Sequence, residues 1–283
     1  MTERSPSSLP SEPVTESPAR VLGRAEEAVA RHGRIALAQI VRAQGSTPGK
    51  AGWKLVVTPD GAAHGNLGGG AFEAMVVADA RAKLAARRPE GEVKRYYLTE
   101  DAVRGEPTGM VCGGMVEVFL EVVAAPPVLL VCGGGPVGQA LARAGDLAGF
   151  DLVMADDRPE FRRPELFPVG TRTPEVDRAF GGDLLAEVPG REVYAAVVTR
   201  CWETDTAALA AILRRPPERL AYLGLMGSRR KVARVKAELA ARGLDLAGVQ
   251  LHAPIGLPVG GDSPGEIAIS IIAEVLQVRH AVD

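Results

Sequence analysis

The pattern of apolar and polar positions changes rhythm near residue 125. Before that point Val21, Leu22, Ala25, Ala28 and Val29 recur at helical spacing and predict a helix from Ala19 to about Gly33. The runs 35–41 (IALAQIV) and 53–58 (WKLVVT) read as strands, and Pro59-Asp60-Gly61 supplies turn chemistry after the second. Glycines 68–70 open a helix-forming segment rich in Ala, Met, Val and Leu. Strands follow at 94–99 and 116–123, separated by a glycine-rich loop that contains GMVCGG (109–114).

Ala124-Ala125-Pro126-Pro127 has no periodicity, and its prolines break helix and sheet alike, so a domain boundary is expected there. Beyond it, nearly all-apolar strands at 128–132, 151–156, 195–200, 221–226 and 249–253 alternate with helices at 136–149, 205–214, 228–242 and 264–280. That alternation describes a parallel sheet covered on both faces. The proline-rich segment 158–183 carries no clear period and is expected to hold little regular structure. The predicted fold class is α/β: a disordered tail (1–19), an N-terminal mixed α/β domain (20–125) and a Rossmann-like C-terminal domain (126–283).

Composition narrows the function classes. Of the 283 residues, 46% are hydrophobic and 24% charged, the balance of a soluble globular protein. Thirty-three basic against thirty-five acidic residues leave a net charge of −2, so no field draws the chain to nucleic acid. The longest uncharged apolar stretch, 122–138, holds three prolines and four glycines and cannot form a spanning helix. The first eighteen residues lack the apolar core of a signal peptide. Three cysteines, Cys112, Cys132 and Cys201, are too few for a disulfide framework, and a reducing, cytoplasmic setting is expected.

Gly133, Gly135 and Gly138 form G-x-G-x-x-G between an apolar strand and a helix. The first permits a tight turn, the second a close approach by pyrophosphate, and the third close packing of helix on strand. An acid should end the next strand to hold a ribose, and Asp156 stands eighteen residues after Gly138. Pro136 removes one amide donor from the turn, and Asp157-Arg158 leave the choice between ribose and 2′-phosphate open. The plainer alternative is a turn shaped by glycines that binds no nucleotide. No HExxH, paired CxxC, G-x-S-x-G or Walker A pattern is present, so zinc, hydrolase and ATPase readings have no support.

Six segments, GSTPGKAG (45–52), GNLGGGAFEAMV (65–76), GMVCGG (109–114), CGGGPVGQAL (132–141), GLMGSRRKV (224–232) and APIGLPVGGDSPGEIAISIIAEVL (253–276), resemble the xanthine dehydrogenase accessory family of XdhC/CoxI type. The resemblance runs from about residue 20 to 279. It implies a chaperone of the molybdenum cofactor (molybdopterin type) rather than an enzyme in its own right. Such a protein binds the pterin-dithiolene group, supports its sulfuration with a cysteine desulfurase, and delivers it to an apo-molybdenum hydroxylase of xanthine dehydrogenase type. The family also suggests a homodimer. One departure stands out: where family members carry Thr-His, this chain has Thr199-Arg200, and a guanidinium cannot shuttle protons near neutrality.

The implied guest carries a phosphate and a metal held by sulfur, and its site is expected in the cleft between the two domains. Gly68, Gly69 and Gly70 would bring bare amides and a helix dipole to an anion, with Lys50 as a clamp. Cys112, flanked by Gly113-Gly114, is the expected sulfur carrier or molybdenum contact, because nearby amides favour a thiolate and a thiolate is a soft ligand. Arg200 and Ser228 would add contacts in the second domain, beside Gly133, Gly135, Gly138 and Asp156. Cys132 reads as core, Cys201 lies past a strand's carboxyl end, and His252 is the histidine best placed for a site. Two alternatives remain: an NAD(P)- or other nucleotide-dependent oxidoreductase using the Rossmann domain, and a scaffold that docks partner proteins without holding cofactor.

Overall fold

The computed structural model describes residues 16–86, 90–98, 113–181, 184–186, 190–214, 220–244, 246 and 248–281. The chain divides into two compact units between Ala124 and Ala125. Among the described residues no helix is long and apolar enough to cross a membrane.

In the first unit, helix α1 (Pro18–His32) begins one residue before the expected start, with Ser17 as its cap, and ends on Gly33. The tail expected at 1–19 is thus helical at its last two residues, and 1–15 lie outside the described residues. Strands β1 (Arg34–Gln44), β2 (Lys54–Val57), β3 (Ala63–Gly65), β4 (Glu92–Tyr97) and β5 (Met115–Ala124) form an antiparallel sheet in the order β3-β2-β1-β5-β4. Helix α2 (Gly70–Ala85) covers one face through Phe72, Val76 and Ala80, against Ala36, Ala38, Ile40, Val116, Val118 and Leu120. Helix α1 covers Ile35, Leu37 and Val56 on the other. Strand β1 is therefore apolar at every position from Ile35 to Ala38, whereas β5, buried on one face, alternates. Strand β3 has no apolar pattern of its own, which is why the sequence does not announce it.

The second unit holds a parallel sheet, β10-β9-β8-β6-β7, made of β6 (Val128–Cys132), β7 (Asp151–Ala155), β8 (Val193–Val197), β9 (Leu220–Leu225) and β10 (Leu251–His252). Helices α3 (Pro136–Leu147) and α6 (Pro264–His280) pack over Leu129, Val131, Tyr194 and Ala196. Helices α4 (Trp202–Arg214) and α5 (Arg229–Ala241) cover Leu130, Cys132, Ala195 and Val197. Burial on both faces makes β6 and β8 wholly apolar, and each fully buried Val or Leu contributes roughly 1.5–3 kcal/mol.

Around β8 and α4 the boundaries differ from the sequence reading. Strand β8 ends at Val197 rather than at 200, and α4 starts at Trp202, because the Cys201 carbonyl accepts the Asp205 N–H at 3.0 Å and the chain has already turned. Among the described residues of the proline-rich segment, 158–181, two single 3₁₀ turns, Pro159–Phe161 and Pro164–Leu166, punctuate the irregular chain.

Candidate functional site

In the first unit, three glycine-bearing loops meet at one end of the sheet. The loop after β1 is braced by Thr47 Oγ1, which donates to the Gly49 carbonyl at 2.9 Å. A Cβ on Gly49 would stand 2.1 Å from the Leu67 carbonyl oxygen, so this loop rests directly on the 66–69 segment. On its other side Ser46 forms a β-bridge with Gly113, and a Cβ on Gly114 would stand 2.2 Å from the Ser46 oxygen. Leu98 and Gly114 close that edge, with the Leu98 N–H donating to the Gly114 carbonyl and the Gly113 N–H to the Leu98 carbonyl, both at 2.9 Å. Lys50 is exposed on the first loop. Cys112, the expected sulfur residue, lies outside the described residues, next to the Gly113 that pairs with Ser46.

The anion cradle expected from the triple glycine is already filled by the protein itself. Glu73 Oε2 accepts from the Leu67 N–H at 2.8 Å and from the Gly69 N–H at 3.3 Å, and Asn66 Oδ1 accepts from the Gly68 N–H. Gly68 and Gly69 therefore do not present bare amides, and a carboxylate holds the positive end of α2, of which Gly70 is the first residue. An acid in the first helical turn was the signal that could have shown this.

In the second unit the chain leaves β6 for β7 on one side and then crosses to β8 on the other. The reversal between β6 and β8 is where parallel sheets hold ligands beyond their carboxyl ends. Gly133 (φ 121°) makes the turn against the Val198 carbonyl, and a Cβ on Gly138 would fall 1.8 Å from the Gly133 oxygen. Helix α3 thus lies as close to the strand as backbone allows. A Cβ on Gly135 would meet nothing within 4 Å, so the second glycine faces open space.

Asp156 does end β7 but not as a waiting ribose acceptor. It is 2% exposed; Oδ1 accepts from the Arg158 N–H and Nε, and Oδ2 from the Gly134 N–H and Arg158 Nη2, all at 2.8 to 2.9 Å. A carboxylate has about four acceptor positions, and here each is used. Next to it, Arg200 donates from both Nη atoms to Asp157 at 2.6 and 2.7 Å, which holds the Asp157 carboxyl below its ordinary range. The position expected to carry a family histidine is thus a buttress for a buried acid.

Ser228 caps α5, its Oγ accepting from the Lys231 N–H at 3.3 Å. The Lys231 ammonium reaches Asp205, which is fully buried and accepts from Thr199 Oγ1 at 2.6 Å. Burial raises the Asp205 carboxyl, and Lys231 and Thr199 oppose that rise. Cys132 is wholly buried, its thiol pushed up to about 12 by burial and by Asp205 and Asp156, as expected of a core cysteine. Cys201 is half-buried, with its sulfur 3.0 Å from Thr204 Oγ1. His252 stacks on Tyr222 at 4.5 Å and points Nδ1 toward Glu274 at 3.4 Å, whose other oxygen accepts the Gly256 N–H at 2.8 Å. Among the described residues, no group of three or more His, Cys, Asp or Glu could hold a metal ion.

Comparison with known proteins shows the family. A family model described as the XdhC Rossmann domain matches residues 129–275, and one described as the XdhC and CoxI family matches residues 28–97. The chain belongs to the XdhC and CoxI family. Among its curated relatives, the Escherichia coli (strain K12) protein named uncharacterized protein YqeB is 35% identical over 248 residues, 87% of this chain and 44% of that protein. A Bacillus subtilis (strain 168) protein, described as a probable subunit of xanthine dehydrogenase, is 29% identical over 170 residues, 58% of this chain and 47% of the other. The chain spans about half the length of the curated relatives it matches. A solved Bacillus halodurans structure described as a xanthine dehydrogenase aligns at a TM-score of 0.47 and 18% identity, over 93% of this chain and 96% of that one. In this XdhC-family chain Lys50 and Gly68–Gly70 fall inside the 28–97 match. Gly133, Gly135, Gly138, Asp156, Arg200 and Ser228 fall inside the 129–275 match, and Cys112 lies between the two.

Proposed function

We propose that the chain is an accessory protein in the maturation of a xanthine dehydrogenase-type molybdenum hydroxylase. It holds the molybdopterin-type cofactor as cargo, supports its sulfuration with sulfur from a cysteine desulfurase, and hands it to the apo-hydroxylase. It acts in the cytoplasm, as a homodimer, and through its partner rather than as a catalyst. The observation that carries this reading is the meeting of the 45–50, 66–69 and 113–114 loops in a chain of the XdhC and CoxI family. That meeting brings the backbone next to Cys112 against the loop of Lys50.

The donor set fits such a cargo in part. A thiol suits a sulfur-ligated metal and the exposed Lys50 ammonium suits a phosphate, whereas the amides of Gly68 and Gly69 are taken. The cofactor when bound supplies the molybdenum centre that the hydroxylase will use. The protein's own part is to hold the phosphate end and present sulfur near the metal.

The saturated acid at the ribose position stands against the nucleotide-dependent oxidoreductase reading. Activation of apo-hydroxylase in the presence of desulfurase tests the proposal. Cys112→Ser is expected to reduce activation at least about tenfold, a rise of roughly 1.4 kcal/mol in the transfer barrier, while Cys201→Ser leaves it near wild type. Full activation by Cys112→Ser would instead point to a docking scaffold.

A further inference from the structure

The turn that follows β7 folds back over the Rossmann glycine turn. Phe161 places its carbonyl against Gly134, where a Cβ would stand 2.2 Å from the oxygen. The Arg158 guanidinium stacks on the Phe161 ring at 3.8 Å and at the same time grips Asp156 through Nε and Nη2 at 2.9 Å. Backbone bonds stiffen the turn, the Phe161 N–H donating to the Arg158 carbonyl at 3.0 Å and the Arg162 N–H to the Pro159 carbonyl at 3.1 Å. A ribose diol reaches a Rossmann site by donating its hydroxyls to the acid at this strand end. Here Arg158 stands in the place of that diol.

We propose that Arg158 and the Pro159–Phe161 turn form a built-in plug that fixes the ligand range of the C-terminal unit by excluding diphosphate ligands that carry a free ribose diol, such as NAD(H) and ADP-ribose. The plug deepens the proposed role by naming what the Rossmann unit refuses. To admit a ribose, Arg158 must release a buried carboxylate and Phe161 must leave Gly134. Breaking two charge-assisted hydrogen bonds to Asp156 lowers affinity by about a hundredfold or more relative to an open site. The neighbouring acid offers no substitute, since Asp157 is held by both Nη atoms of Arg200.

The plug is tested by titrating the full chain with NADH (fluorescence) and ADP-ribose (calorimetry), for wild type, Arg158→Lys, Arg158→Ala with Phe161→Ala, and that double variant with Asp156→Asn. Wild type is expected not to saturate below about 1 mM, and the double variant to saturate about a hundredfold lower. Adding Asp156→Asn should remove the gain, because the freed carboxylate is what binds the diol. Arg158→Lys keeps a charge beside Asp156 but loses the fork, so it guards against loss of fold and should show a smaller gain. Wild-type saturation below about 100 μM, or no gain in any variant with an unchanged circular dichroism spectrum, would overturn the plug. Pterin content is read on the same preparations. Its absence throughout would count against the cofactor-holding role and leave the nucleotide result to decide the plug.

Discussion

Gly138→Ala is expected to destabilise the Rossmann unit by about 3–5 kcal/mol, although alanine is the better helix former by about 1 kcal/mol. The added methyl would lie 1.8 Å from the Gly133 carbonyl oxygen and 2.9 Å from its carbon. Both obstacles are backbone, so no side chain can rotate away. Gly133 has no room to retreat, because it is itself set against the Val198 carbonyl. Helix α3 must move off β6, opening the contacts of Leu141 and Ala142 with the core. At roughly 2–4 °C per kcal/mol for a unit of this size, the thermal midpoint should fall by about 6–20 °C. A midpoint within about 2 °C of wild type would show that the close approach is not what holds helix to strand.

Lys231→Met is expected to cost about 3–5 kcal/mol near neutral pH, because it strands the fully buried Asp205 with only Thr199 as a partner. The loss should depend on pH in a defined direction. Burial already raises the folded-state carboxyl of Asp205, and removing Lys231 takes away the larger of the groups opposing that rise. The folded chain then binds the proton more readily than the unfolded one. Stability from this group is full below the unfolded carboxylate range and is lost as pH rises through the raised folded value. Urea denaturation should therefore show the largest deficit near about pH 8 and a smaller one near about pH 5. Adding Asp205→Asn should recover much of it, since an amide leaves no buried charge. A deficit that is flat with pH would contradict the buried-charge account.

Much of the scaffold is legible in the sequence because two-sided burial leaves an unmistakable mark. Strands β6 and β8 are apolar at every position, and the starts of α3 and α6 are set by Pro136 and by the Ser263–Glu266 capping box. The short β3 and the early end of β8 are not legible, since each is decided by pairing and by the Cys201 cap rather than by local pattern. Glycine motifs predict where backbone comes close but not what comes close to it. At Gly68 and Gly69 the occupants are Asn66 and Glu73, and at Gly134 they are Asp156 and Phe161. The roles expected of Asp156 and Arg200 assumed free side chains, whereas Arg158 and Asp157, their neighbours in space, complete them. The convergence of the 45–50, 66–69 and 113–114 loops could not be read from spacing, because it depends on β5 pairing with β1.

The cofactor-holding claim is tested most directly by purifying the full chain from cells that make molybdopterin and measuring molybdenum by mass spectrometry and pterin by fluorescence after oxidation. The account predicts both in comparable molar amounts on the wild-type chain, with less of each on Lys50→Ala. Protein that carries neither above the level of an unrelated control from the same cells would contradict it.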